Sequence, residues 1–227
     1  MQFKTTYIRK NNKDLIIFLP PKTKVDYLFA LKRKIPETFG IIEFQYPKEI
    51  LTPDAIETKN NFLDFLKHVT DELKKLNKKK KRNLYFIGHS LGGLFGMIIA
   101  DKIDVKKMVL LVPGYNLAQA FWKSKSKQTT FCREEMRKKG MTLKKLKKLW
   151  ESISPDSYFH KKAFKSEYYI KLSKKDKVIP YSNGLKLIKE LEKKKTHMIL
   201  KKSYLPHTLT VVFYTLFPKE IIRFLKK

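Results

Sequence analysis

The serine in Gly88-His89-Ser90-Leu91-Gly92-Gly93 stands between two glycines, each two residues away. The apolar residues 84–87 before it read as a buried strand and residues 94–100 after it as a buried helix, so very little chain joins the two. A join that short is a sharp turn in which strand and helix nearly touch, and Gly88 and Gly92 remove the Cβ atoms that would collide there. Such a turn lifts the Ser90 hydroxyl above the carboxyl edge of a sheet in strained backbone. The N–H of Leu91, at the start of the helix, then points at the same spot as a donor to a developing oxyanion. A glycine-rich join with an incidental serine has the same spacing, so the rest of the chain must decide.

A hydroxyl is a poor nucleophile at neutral pH. It needs a base to take its proton and an anion to orient and stabilise the resulting imidazolium. Asp176, in Ser173-Lys174-Lys175-Asp176-Lys177-Val178-Ile179-Pro180, and His207, in Ser203-Tyr204-Leu205-Pro206-His207, both follow directly on strand patterns. Each has rivals. Asp176 would also serve as an ordinary turn aspartate bonding its own backbone. Asp156 follows Pro155 in a pair better explained as a helix start. His197 lies inside the last strand pattern, His160 in the segment without strands, His68 in a helix, and His89 in the elbow, where adjacent residues point apart. Cys132 has no local signature of a nucleophile.

The elements that must position these residues follow from periodicity. Residues 2–9 alternate weakly and read as an edge strand; 14–19 form an apolar run covered on both faces and ended by Pro20-Pro21. Residues 22–33 carry Val25, Leu28, Phe29 and Leu31 at helical spacing, and 39–46 return to strand until Pro47. Thr52-Pro53-Asp54 begins a long amphipathic helix with proline in its first turn, followed by a basic loop over 77–82. Residues 107–112 are a further buried strand closed by Pro113-Gly114. This alternation predicts a parallel sheet with helices on both faces.

The rhythm breaks over 115–164, where no clear strand occurs. There Leu143, Leu146, Leu149, Trp150 and Ile153 share one helical face, with lysines opposite, and are expected to pack against the sheet rather than lie on a membrane. Strand, helix and strand return at 167–172, 180–192 and 196–200, and a closing helix spans 209–225 with a break near Pro218.

On its elbow, its Asp176-Lys177-Val178-Ile179-Pro180 loop and its late His207, the chain resembles the α/β-hydrolase family over essentially its whole length, in the family's order of nucleophile, acid and histidine. The resemblance implies a three-layer α/β/α sandwich on a mostly parallel sheet. It further implies one domain over 1–227, with a small helical cap inserted at about 115–164. By the same resemblance the chain is a serine hydrolase cleaving carboxylic esters or thioesters through an acyl-enzyme on Ser90, with no metal or organic cofactor. His207 is then base and later acid, and Asp176 fixes its tautomer. An amidase or peptidase on the same triad is the alternative within enzymes. Many relatives carry a His-Gly pair after the strand that here ends at Leu19, and the next residue's N–H supplies the second oxyanion donor. Pro20 and Pro21 stand there instead, and Pro21 has no N–H to give, so that donor falls to Lys22 or a neighbour such as Thr23. Tyr115, Phe121 and Trp122, with Phe131, Tyr158 and Phe159, are expected to line an acyl pocket; a lid core is the other use of the same rings.

Composition bounds the rest. Lys and Arg number 51 against 21 Asp and Glu, a net charge of +30 spread along the chain. That field draws anionic lipid or nucleic acid non-specifically without choosing between them, and lysines near the mouth would favour acidic or amphiphilic esters. A non-catalytic basic binding protein keeping the fold is therefore the rival from another class. A single cysteine excludes an intramolecular disulfide and fits a reducing compartment. Without a signal-peptide pattern or a run of about 18 apolar residues, a cytoplasmic location is expected. Oligomeric state has no signature in the sequence.

Overall fold

The structure is a computed structural model that describes residues 2–20, 33–158 and 165–227. The chain is a three-layer α/β/α sandwich built on seven strands: β1 (Lys4–Ile8), β2 (Asp14–Leu19), β3 (Phe39–Gln45), β4 (Asn83–His89), β5 (Lys107–Leu111), β6 (Glu167–Ser173) and β7 (Met198–Ser203). Their order across the sheet is β1-β3-β2-β4-β5-β6-β7; β1 runs antiparallel to β3 and every other pairing is parallel. The interior strands are apolar on both faces, as helices on both sides demand. Register brings Leu19 beside Gly88, His89 beside Leu111, and Ser173 beside Ser203. The loops that carry the site therefore leave one edge of the sheet, the edge where α/β folds gather their chemistry.

Nine helices surround the sheet among the described residues. They are α1 (Ala55–Lys79), α2 (Leu91–Lys102), α3 (Leu117–Lys123), α4 (Lys127–Lys138), α5 (Leu143–Leu149), α6 (Pro155–Tyr158), α7 (Tyr181–Lys193), α8 (His207–Leu216) and α9 (Lys219–Lys226). Asp54 caps α1, accepting from the N–H groups of Ile56 at 2.8 Å and Glu57 at 3.0 Å. Pro53 thus precedes the cap instead of sitting in the first turn. The expected loop at 77–82 begins only after Lys79, because lysine is a good helix former and these residues are solvated. The expected helix over 22–33 lies, but for Arg33, outside the described residues.

One large core joins one face of the sheet to α1, α2, the helices between β5 and β6, and α7; a smaller one joins the other face to α8 and α9. The apolar stripe over 143–153 divides into α5 and a 3-10 turn, Glu151–Ile153, and packs on helices instead of the sheet. Its Trp150 is fully buried, donates its indole N–H to the Ala55 carbonyl at 2.8 Å, and meets the Phe121 ring edge-on at 5.0 Å. The sheet face beneath is already occupied by α1 and α2, so the stripe finds its apolar partners one layer out. Among the described residues no helix is long and apolar enough to cross a membrane.

Candidate active site

Ser90 caps α2 with φ 54° and ψ −118°, a backbone conformation that costs a non-glycine residue of the order of 1–3 kcal/mol. Neighbouring backbone holds it there. Its N–H donates to the Leu111 carbonyl at 2.9 Å, while its own carbonyl accepts from Gly93 at 3.0 Å. A Cβ on Gly92 would lie 2.3 Å from the Leu19 carbonyl oxygen, and one on Gly88 would lie 2.8 Å from both the Gly92 oxygen and the Gly93 Cα. The turn survives only because both positions are bare. Leu91 is the first residue of α2, and its N–H is one of the four opening donors without an intrahelical acceptor. Lys22 and Thr23, the expected second donors, lie outside the described residues. The Pro20 carbonyl just before them accepts from the Tyr46 hydroxyl at 2.9 Å.

The structure brings Ser90, Asp176 and His207 together from three loops. His207 Nε2 lies 2.9 Å from Ser90 Oγ, and His207 Nδ1 lies 2.6 Å from Asp176 Oδ2. The other carboxylate oxygen of Asp176 accepts from the N–H groups of Val178 and Ile179, each at 2.8 Å. The turn-aspartate role and the partnership with histidine are therefore both real, one for each oxygen. Ser173 Oγ ties the two partner loops to one another: it donates to the Leu205 carbonyl and accepts from Lys175 N–H at 3.2 Å. Thr210 Oγ1 donates to the same Leu205 carbonyl at 3.0 Å. The Ser173 and Thr210 roles were not foreseen. A hydroxyl at the last position of a strand was the only signal for Ser173.

The rival residues stand elsewhere. Asp156 bonds Asn116 and Ser154, each at 2.5 Å; His197 is exposed beside Glu167 at 3.4 Å; His68 meets Thr5 at 3.0 Å. His160 lies outside the described residues. His89 is fully buried, with the Phe18 ring edge-on at 5.2 Å. Burial, seconded by the nearby His207, drives its pKa down to about 3, so it is neutral at physiological pH.

Ser90 and His207 open into a cavity of about 290 Å³. Leu51, Phe62, Leu94, Leu117, Phe121 and Val178 give it an apolar wall; Ser124, Ser126, Gln128 and Thr129 form a polar one; Thr208 and Val211 of α8 complete the rim. Of the six aromatics expected to line it, Phe121 does so. Tyr115 does not: its backbone N–H donates to Asn183 Oδ1 at 2.6 Å, and burial raises its phenol to about 12. Trp122 does not either, lying under the Arg137 guanidinium at 5.1 Å. Successive residues of α3 point about 100° apart, so Phe121 and its neighbour cannot share one wall. Phe131 is exposed, Tyr158 stays off the wall and donates its hydroxyl to the Ser152 carbonyl at 2.6 Å, and Phe159 lies outside the described residues. The polar wall was missed, although Ser126, whose side chain accepts from Thr129 N–H, marks the start of α4.

A description of the prolyl oligopeptidase family matches residues 56–204. The chain belongs to the prolyl oligopeptidase family. The matched range takes in Ser90 and Asp176 and stops short of His207, which is joined to them by geometry. Among solved structures, acylaminoacyl peptidase of Pyrococcus horikoshii aligns with 100% of this family member and 39% of its own length at a TM-score of 0.73 and 12% identity. The Pyrococcus furiosus esterase Pf2001 aligns over 99% of this chain and 87% of its own at 0.65 and 16% identity. Est1E from Butyrivibrio proteoclasticus does so over 97% and 91% at 0.58 and 15% identity. The chain spans about two fifths of the length of the acylaminoacyl peptidases it matches. These likenesses bear out the α/β-hydrolase fold. No curated protein matches the sequence significantly.

Proposed function

We propose that the chain is a serine hydrolase that cleaves a carboxylic ester or thioester by way of an acyl-enzyme on Ser90. The observation that carries this reading is the unbroken line of hydrogen bonds from Asp176 through His207 to Ser90 at the mouth of a largely apolar cavity. In the first half-reaction Ser90 Oγ bonds to the acyl carbon as His207 Nε2 takes its proton. The C–O or C–S bond then breaks and the leaving alcohol or thiol departs with that proton. In the second half-reaction water gives a proton to His207 and its oxygen to the acyl carbon, and Ser90 recovers its hydrogen as the acid leaves. Asp176 holds the proton of His207 on Nδ1, so Nε2 faces the serine as an acceptor. Its charge also stabilises the imidazolium. The Leu91 N–H donates to the oxyanion.

The apolar wall around Phe121 takes the acyl group. The helices between β5 and β6 serve as the cap within a single domain, and Tyr115 and Trp122 support that cap. The steps run on Ser90, His207, Asp176 and water.

A peptidase is the second reading, favoured by the family and by the acylaminoacyl peptidases whose fold the chain shares. A panel of short, medium and long acyl p-nitrophenyl esters, run beside an N-acyl amino-acid p-nitroanilide, separates the two. Esters should turn over faster, with one preferred chain length, and Ser90→Ala should abolish the reaction. Faster anilide cleavage would install the peptidase reading. If a labelled fluorophosphonate leaves Ser90 unmodified in the folded protein, the hydrolase reading falls and the basic binding protein takes its place.

A further inference from the structure

The last helices carry an apolar face turned to solvent. Leu209 is 53% exposed, Phe213 45%, Leu216 47% and Phe217 63%, and Tyr204 and Leu205 extend the strip toward β7. Leu209, Phe213 and Leu216 recur at the four- and three-residue steps that make one side of α8, and Leu205 precedes them in the loop. The inner side of α8 is used up by His207, Thr210, Val211 and Thr215, all buried. Among the described residues the other exposed large apolar side chains, Ile56 and Phe131, stand singly on α1 and α4, so the run on the last helices is the concentrated one.

Its position links it to the cavity. His207 opens α8, Thr208 and Val211 line the cavity rim, and Leu209 and Phe213 begin the exposed strip on the same helix. The surroundings are cationic. Lys174, Lys175 and Lys177 stand exposed in the Asp176 loop, Lys202 lies on the edge strand leading to His207, and Lys125 and Lys127 flank the polar cavity wall. Lys174 also donates to the Tyr204 hydroxyl at 2.8 Å, joining the basic group to the strip.

We propose that this face seats on an anionic lipid surface and presents the mouth of the Ser90 cavity to it. Of the candidate occupants, a bilayer with acidic headgroups alone offers an apolar interior for leucine and phenylalanine together with negative charge for the lysines. A nucleic acid supplies charge but no deep apolar layer, and two copies of a chain carrying +30 repel. The purpose of the docking rests on the hydrolase reading: the cavity then receives an acyl ester lifted from the surface. The docking itself does not rest on it.

Co-sedimentation with vesicles tests the proposal, using phosphatidylcholine alone or mixed equally with phosphatidylglycerol. Wild type and Ser90→Ala should both bind the mixed vesicles, bind neutral ones weakly, and dissociate as salt rises, so a failed hydrolase reading leaves the binding result intact. Leu209→Gln/Phe213→Gln, which keeps the charge, should weaken partition about tenfold or more while turnover of a short water-soluble ester is unchanged. Lys174→Gln/Lys202→Gln should weaken it about tenfold at low salt. The proposal is overturned if wild type ignores the mixed vesicles, or if the double glutamine variant binds them as well as wild type. It also falls if wild type is a dimer that this variant splits, which would give the face to a second copy. A marked drop in melting temperature for the variant would mean the face is packed within the chain.

Discussion

The elbow and the two loops that meet it achieve the same precision by opposite means. Ser90 is held by backbone: a positive φ, a bond to Leu111, and two glycines whose hydrogens are all the space allows. Asp176 and His207 are held by side chains: one carboxylate oxygen on two N–H groups, one serine hydroxyl shared between the loops, and a threonine on the Leu205 carbonyl. Backbone packing cannot relax around a change, whereas side-chain bonds fail one at a time. Substitutions at the elbow should therefore damage fold and chemistry separately and sharply, and those in the loops should damage both by degrees.

The largest effect tests whether the Ser90 side chain has any part in shaping its own turn. Ser90→Ala should lower kcat/KM by about a millionfold and leave the melting temperature nearly unchanged, because the backbone bonds remain. A large loss of stability would break the contrast. Asp176→Asn should cost about ten thousandfold in kcat, since the amide can keep the Val178 and Ile179 bonds while presenting the wrong partner to His207. Asp176→Ala should add a stability loss of about 1–2 kcal/mol from two orphaned N–H groups, read by urea titration; equal stability of the two variants would deny the carboxylate its second role.

Gly92→Ala places a Cβ against the Leu19 carbonyl and should destabilise by about 3 kcal/mol or more, with the neighbouring strand end displaced. A soluble, fully active protein would show that the join is softer than its geometry. His89 sharpens the comparison by pH. It is neutral in the fold down to about pH 3 but takes a proton in the unfolded chain below its ordinary 6.5. Between those values the unfolded state binds more protons, so stability falls as pH falls, by about 1.4 kcal/mol per unit at full effect. His89→Gln should flatten that part of the curve by up to one proton, and an unchanged slope would exclude His89 as the source. The smallest effect belongs to Ser173→Ala, which should lower kcat about tenfold with KM little changed and cost about 1 kcal/mol. A pure stability loss with kcat unchanged would make Ser173 merely structural.

Much of this was legible beforehand because parallel strands buried on both faces write continuous apolar runs. Asp14–Leu19 is visible to the residue, and the elbow announces itself because its glycines answer a steric demand. The end of α1 was misjudged because a run of solvated lysines has no periodicity to read. Asn116, Ser126 and Thr142 cap α3, α4 and α5, yet the first two helices are too short or too polar to show a clear stripe. The expectation for Tyr115 and Trp122 rests on their being aromatic and falling in the inserted segment, which says that a ring will be covered but not by what.

The sequence by itself determined the alternation of elements, the strained turn under Ser90, and the order in which serine, aspartate and histidine arrive, since each is written in local spacing and local sterics. Only the tertiary structure decided that His207 closes to 2.9 Å from Ser90, that Phe121 and not Trp122 faces the cavity, and that one side of α8 is left to solvent. Periodicity records which side of an element is apolar. What stands opposite that side depends on residues far away in the chain, and no local pattern contains them.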